Sequence, residues 1–447
     1  MSRHLDKTMM ATMTMKMRTK MTKSTPAPAS LPGPDNVTRV VLDNGLTVLV
    51  RENHAAPVTV LEGSLWAGAM YDPADKVGLS SFTANMLTRG SERYSYDRFN
   101  ETIESVGASL SITSDIDATN FGLTCLSEDF AALTEVLADA LRHPTFPQAQ
   151  FDVLKQQKLV RLQERDQETS AIANLRFYEM IYGGHPNGRP VSGYVETVGA
   201  IERADLAAFH AAHATPHGGA IAISGDVQAA QVVDLLAATL GDWRGAQPVR
   251  TSTPIPPLAE VRRMDVAMAD KVQSDIAIGC QAAARNHPDF DALRVANTIL
   301  GVFGMMGRLG EVVREQQGLA YYVYSTQDAG LDAGVWMASA GVNPQHVQRA
   351  IDSMMAEMVR LGDEPVGAEE LADSIAYLTG VLPLTLETND GIASTLLNME
   401  WFNLGLDYLH RYNDLIHAVT VADVQRVARD YLRPERCVVV VAGTNPA

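Results

Sequence analysis

Glu202 to Gly225, ERADLAAFHAAHATPHGGAIAISG, and Thr420 to Gly443, TVADVQRVARDYLRPERCVVVVAG, run in parallel at an offset of 218 residues. Each has an aspartate in a helix start (Asp205, Asp423), then a β-rich run that closes on a glycine (Gly225, Gly443) 20 residues after the aspartate. Upstream, Leu133, Val136, Leu137 and Leu141 map without gaps onto Ile351, Met354, Met355 and Val359, and Pro147 maps onto Pro365. A single match of this kind means little, but ordered matches over a long span indicate an internal duplication. Between the copies lies 247–260, QPVRTSTPIPPLAE, whose prolines disfavour helix and suit an extended linker. The expected fold is α+β: two duplicated halves, 36–246 and 261–447, each a mostly antiparallel sheet with helices on one side, together enclosing a cavity.

The first half supports this reading locally. Val37 to Arg51 gives two β-rich runs around Asp43-Asn44-Gly45, a hairpin signal. Residues 58–67 form another strand candidate, and 78–87 read as a helix start. Ser95 is a candidate N-cap for a helix through Phe99, Ile103 and Val106. Residues 108–125 alternate like paired strands, 130–141 form an amphipathic helix, and a long charged helix spans Gln148 to about Asp166.

Of the 447 residues, 46% are hydrophobic and 20% charged, enough apolar material for large cores. The formal charge of −17 argues against nucleic-acid and anionic-membrane partners and favours basic or neutral peptides. Cys125, Cys280 and Cys437 are odd in number and far apart, which points to buried thiols in a reducing compartment, and so to the cytoplasm. No run of 18 apolar residues is present, so no membrane span is expected. Residues 1–35 read as a disordered tail; a transit peptide and a start codon placed too early are the alternatives.

From Val37 onward, about 410 residues resemble the pitrilysin family of zinc peptidases, which includes insulinase and the mitochondrial processing peptidase. Members carry His-x-x-Glu-His on an early helix: two His one turn apart hold Zn²⁺ and the Glu activates its water. The matching stretch is Gly78-Leu79-Ser80-Ser81-Phe82-Thr83-Ala84-Asn85-Met86-Leu87. Its flanks fit, but Ser81 and Asn85 stand at the two His positions and Ala84 at the Glu. The third ligand of the family is a Glu in the long helix, where this chain reads Leu159-Val160-Arg161-Leu162; the nearest acid is Glu164. The resemblance therefore implies no metal and no cofactor in this chain.

A second family feature survives in the other half. Arg314-Glu315-Gln316-Gln317-Gly318-Leu319-Ala320-Tyr321 matches the Arg and Tyr that reach the substrate backbone at the scissile bond. Gly318 is expected to end the helix carrying Arg314, and Tyr321 to open a strand facing the cavity. The alternative is that Arg314 pairs with a surface acid and Tyr321 is a core residue. Together these features imply the zinc-less subunit of a heterodimer, completed in trans by a homologous zinc-bearing partner and acting on peptides. A scaffold resembling the core subunits of the bc1 complex, and a homodimeric peptide-binding protein, are the competing expectations.

Other features carry less. His210, His213 and His217 read as solvated helix-end histidines, and the loop 182–190 as structural. Gly301, Gly304 and Gly307 are too scattered for a phosphate loop; the family's glycine-bearing segment here lies near its cavity. Residues 108–119 resemble the family's substrate-augmented strand, or merely build the sheet. Met305-Met306 and Met354-Met355 read as core filler.

Overall fold

The computed structural model describes residues 30–250 and 254–444. The first sheet contains β1 (Thr38–Val41), β2 (Thr47–Glu52), β3 (Val58–Leu65), β4 (Ser109–Ser114), β5 (Thr119–Leu126) and β6 (Ala220–Gly225), in the order β1-β2-β6-β3-β5-β4. The second contains β7 (Arg262–Ala267), β8 (Ser274–Ala282), β9 (Ala320–Asp328), β10 (Gly334–Val342) and β11 (Val438–Gly443), in the order β7-β11-β8-β10-β9. Apart from β1 the two orders superimpose. Each sheet has one parallel pair, β2 with β6 and β7 with β11, and is otherwise antiparallel.

The duplicated residues do the same work in both halves. The Asp205 carboxylate accepts the Glu202 N–H at 2.8 Å, and Asp423 accepts the Thr420 N–H at 3.0 Å, closing equivalent capping boxes. Gly225 and Gly443 end β6 and β11 where a Cβ would lie 2.4 Å from the Val58 carbonyl oxygen and 2.3 Å from Ser274 Oγ. The Leu133, Val136, Leu137 and Leu141 stripe is buried in helix Phe130–Arg142; in helix Val347–Asp363 its copy is buried at Ile351 and Met354 and emerges at Val359.

Each half's own helices cover one side of its sheet. The opposite side is covered by a helix from the other half. In β11, Val438, Val440 and Ala442 face helix Thr169–Tyr182 of the first half, while Val439 and Val441 join the second half's own core. Reciprocally, helix Asn389–Trp401 of the second half lies on β6 and β3. Its first residue pins it there: Asn389 Nδ2 donates to the Val58 carbonyl at 3.0 Å, and its Oδ1 accepts from Ser224 Oγ at 3.1 Å and Asn53 Nδ2 at 2.8 Å. Trp401 stacks on Trp66 at 4.1 Å. The linker joins the exchange: Leu258 is buried beside Ile172 and Phe177, and Arg250 bridges Asp117 and Asp332, one from each half.

Glu62 lies on β3 beneath the lent helix. Burial, then the Asp390 carboxylate, push it up to about 7. A carboxyl raised in the folded state stabilises least once pH exceeds that value, and the loss develops between about 4.5 and 7. Glu62→Gln is therefore expected to stabilise the protein by roughly 1–2 kcal/mol at pH 8.5, a figure discounted for partial exposure, and to have little effect at pH 4.5. Urea unfolding at the two pH values checks this.

Of the expected tail 1–35, residues 1–29 lie outside the described residues. Pro32 and Gly33 are buried, and Gly33 starts a turn that feeds β1, so ordered structure begins before residue 36. Among the described residues no helix is long and apolar enough to cross a membrane.

Candidate functional site

Helix Leu79–Met86 carries the Ser81, Ala84 and Asn85 positions. Gly78 begins it at φ +102°, a left-handed conformation in which a Cβ would meet the Ser192 carbonyl at 2.9 Å. Buried Asp72 accepts the Gly78 and Ser80 N–H groups at 2.7 and 2.8 Å. Burial pushes this carboxyl up to about 6, against the downward pull of those N–H groups. Phe82 stacks on Phe151 of the long helix Gln148–Arg165 at 5.0 Å, so the two helices are packed against each other.

Across this contact stands a residue that the sequence reading missed. Lys158 is only 9% exposed, and its Nζ donates to Ser81 Oγ at 3.0 Å. Phe151, Leu154, Lys158 and Leu162 form the buried stripe of the long helix, spaced three, four and four residues apart. That spacing, with a lysine in an apolar position, is the signal that could have found it. Burial, then the positive charges of Arg161 and Arg89, lower this ammonium to about 8, and only Asp72 opposes them. Asn85 Nδ2 donates to the Ile112 carbonyl of β4 at 3.3 Å, tying the helix to the edge strand. Ala84 is buried; in the stretch Leu159 to Leu162, where the family's acid is expected, Leu162 is buried, and Glu164 is exposed.

The donor set does not fit zinc. A hydroxyl, a carboxamide, a methyl and an ammonium include no imidazole, thiolate or carboxylate, and an ammonium has no lone pair to give. Among the described residues no group of three His, Cys, Asp or Glu is arranged to hold a metal.

Arg314 and Tyr321 lie in the second half, on consecutive irregular elements. Residues Gly310–Gln316 form a π-helical turn, ended by Gly318 at φ +61° as expected. The Arg314 guanidinium donates to Glu315 at 2.8 and 2.9 Å. Tyr321 follows in the edge strand β9. Tyr322 pairs with Gly341 and Ala320 with Val342, so Tyr321 is the extra, unpaired residue of a β-bulge, and it is 85% exposed. It is not a core residue, whereas Arg314 does pair with a neighbouring acid. Among the described residues, no hydrogen bond or ion pair links either one to the helix of Ser81 and Asn85.

Two cavities flank these elements. One, of about 610 Å³, lies between the halves and is lined by Asp117, Tyr178, Tyr182, Arg189, Gln327 and Asp328 among others. Tyr321 is not among the residues that line it; its ring is exposed. The other, of about 640 Å³, is lined by Phe303, Met305, Arg308, Glu311, Glu315 and Glu370, with Arg308 bidentate on Glu370 at 2.6 and 2.7 Å. Four successive residues beside it, Gly304 to Gly307, have positive φ. Met305 and Met306 are exposed there, so they are not core filler; Met354 is.

Two of the three histidines, His210 and His213, are packing residues rather than solvated ones. His210 Nε2 bonds the Leu141 carbonyl at 2.8 Å, and His213 stacks on Tyr71 at 4.6 Å; burial lowers both. His217 is exposed. The three cysteines are buried and free, and burial pushes their thiols up to about 11 or 12, which makes them poor nucleophiles.

The family models agree with this architecture. Residues 47–194 match the model described as insulinase, peptidase family M16, and residues 200–378 match the peptidase M16 inactive domain. The chain belongs to the insulinase (M16) family. An uncharacterized zinc protease of Mycobacterium tuberculosis is 28% identical over 411 residues, covering 88% of this chain and 90% of that one. Subunit 1 of the bovine mitochondrial cytochrome b-c1 complex is 25% identical over 266 residues, covering 58% and 54%. Among solved structures, a peptidase M16 inactive domain from Pseudomonas fluorescens superimposes with a TM-score of 0.86 at 24% identity, covering 92% and 98%. A chain of complex III from Candida albicans gives 0.77 at 18% identity, covering 91% and 96%. This chain thus has the M16 fold, and its helix Leu79–Met86 contains no His, Cys, Asp or Glu.

Proposed function

We propose that this chain is the zinc-free subunit of a heterodimeric M16 peptidase, gripping the peptide bond that a homologous zinc-bearing partner cuts. The observation that carries the reading is Tyr321. A tyrosine bulged out of an edge strand, 85% exposed, presents its hydroxyl outward from the molecule, where a partner's bound peptide could meet it. Arg314, one glycine-terminated turn earlier, adds a fixed cation with several donors. The motif helix supplies no metal donor, so the chain alone is expected to be inactive. Negative net charge and the glutamates of the second cavity favour basic unfolded peptides. Buried, weakly acidic thiols suit a reducing compartment, and we place the complex in the cytoplasm.

Mixing the purified chain with an M16 protein that carries an intact His-x-x-Glu-His motif tests this. Peptide hydrolysis is expected only from the mixture, with a heterodimer on size exclusion. Hydrolysis by the zinc-bearing protein that is unchanged by this chain would refute the reading. The likeness to bc1 subunit 1 supports a second reading, a non-catalytic scaffold. In that case substitutions at Tyr321 would leave every measured activity untouched.

A further inference from the structure

We propose that Lys158 is the resident cation of the motif site, and that its ammonium, as well as the missing ligands, keeps a divalent metal out. The inference rests on reading Ser81, Ala84 and Asn85 as the motif positions. Lys158 reaches the first of them directly, Nζ to Ser81 Oγ at 3.0 Å, from the helix packed across the site. It is buried and carries no carboxylate partner; its one hydrogen bond among the described residues is to that neutral hydroxyl. A buried cation is normally paired with an acid. Asp72, the acid that acts on it electrostatically, is already committed to the N–H groups that begin the motif helix.

The surrounding charge points the same way. Arg161 and Arg89 act on Lys158 with like sign, and only Asp72 opposes them. The Lys158 side chain also lies over the Phe82 ring, with Nζ 5.7 Å from its centroid, which offsets part of the cost of burial. Any ion held by side chains at positions 81 and 85 would sit against this ammonium, and like charges in a shielded site repel strongly. Restoring the ligands alone is therefore not sufficient to restore metal binding.

The experiment compares three variants of the full chain, each shown to be folded by circular dichroism and loaded with zinc alone. The first is S81H/A84E/N85H. The second adds K158E, which places a carboxylate where the ammonium was. The third adds K158M, which removes the charge and keeps the apolar stripe filled. Zinc per chain is measured by elemental analysis, and site geometry by the visible spectrum of the cobalt(II) form.

The triple variant is expected to retain only background zinc, and the K158E variant about one tetrahedral ion per chain. The K158M variant is expected to bind zinc at least about tenfold more tightly than the triple variant; it decides the matter if the K158E variant does not fold. Zinc binding by the triple variant equal to that of the other two would overturn the role of Lys158. Folded K158E and K158M variants that both bind no more zinc than the triple variant would likewise overturn the role of Lys158. If none of the variants folds, reductive methylation of the unsubstituted chain still tests the lodged ammonium. Lys158 should stay unmodified until denaturation while Lys271 reacts, and equal reactivity would overturn the proposal.

Discussion

Tyr321→Phe is expected to lower kcat of the reconstituted heterodimer by roughly 10²–10³-fold, the usual effect of deleting one donor to a developing oxyanion. The substitution removes only a hydroxyl from a ring that is 85% exposed, so folding stability should stay within about 0.5 kcal/mol of the unsubstituted chain. That separation makes the test clean: the loss would appear in turnover, with heterodimer formation and melting unchanged. Arg314→Ala should act chiefly through KM, because a fixed cation grips the peptide before and during reaction alike. Its partner Glu315 is well exposed and is left solvated, so the cost in stability is small. Arg314→Lys should restore only part of the binding, since an ammonium cannot reproduce the planar fork. Full turnover in both Tyr321→Phe and Arg314→Ala would leave the scaffold reading standing.

Arg250→Ala is expected to destabilise the folded chain by roughly 3 kcal/mol at pH 7.5. Arg250 donates to Asp117 at 3.1 Å and to Asp332 at 2.6 Å, and all three side chains are largely buried. Without the guanidinium, two carboxylates from opposite halves lose the cation that joins them. Asp117 is already raised by burial, with Arg250 as the main opposing influence. Its removal moves Asp117 further up, so the folded state of the variant takes up protons more readily. The deficit should therefore shrink as pH falls from 7.5 towards 4. Adding Asp117→Asn should recover part of the loss at pH 7.5. Chemical denaturation at both pH values reads out each of these effects, and a deficit independent of pH would reject the mechanism.

The sequence foretold the elements that depend on local or repeated patterns. Hairpin, helix starts and strand-ending glycines are fixed by neighbours a few residues away, and the duplication made the last two visible twice. The lack of His and Glu in helix Leu79–Met86 was legible because it is a matter of residue identity on one helix. What was not legible depends on contacts made far along the chain. Nothing in the apolar pattern of Thr169–Tyr182 tells which sheet it covers, since either half offers a similar face. Lys158 was overlooked because a lysine in a charged helix reads as solvated unless the Phe151, Leu154 and Leu162 stripe is traced through it. The bulge at Tyr321 follows from pairing with β10, and a one-residue slip in register leaves no mark in composition. The linker reads as a spacer from its prolines; its grip through Arg250 needs both aspartates in place.

The reciprocal loan of helices between the halves has a consequence for how the molecule comes apart. Neither sheet can keep both faces dry once the other has melted, because each borrows its roof from its neighbour. Heating should thus give one calorimetric peak for the whole of 36–444, despite two sheets and an ancestral doubling of the gene. A fragment ending at the linker would carry one uncovered sheet and one orphaned amphipathic segment, and the two fragments together should reassemble where neither persists alone.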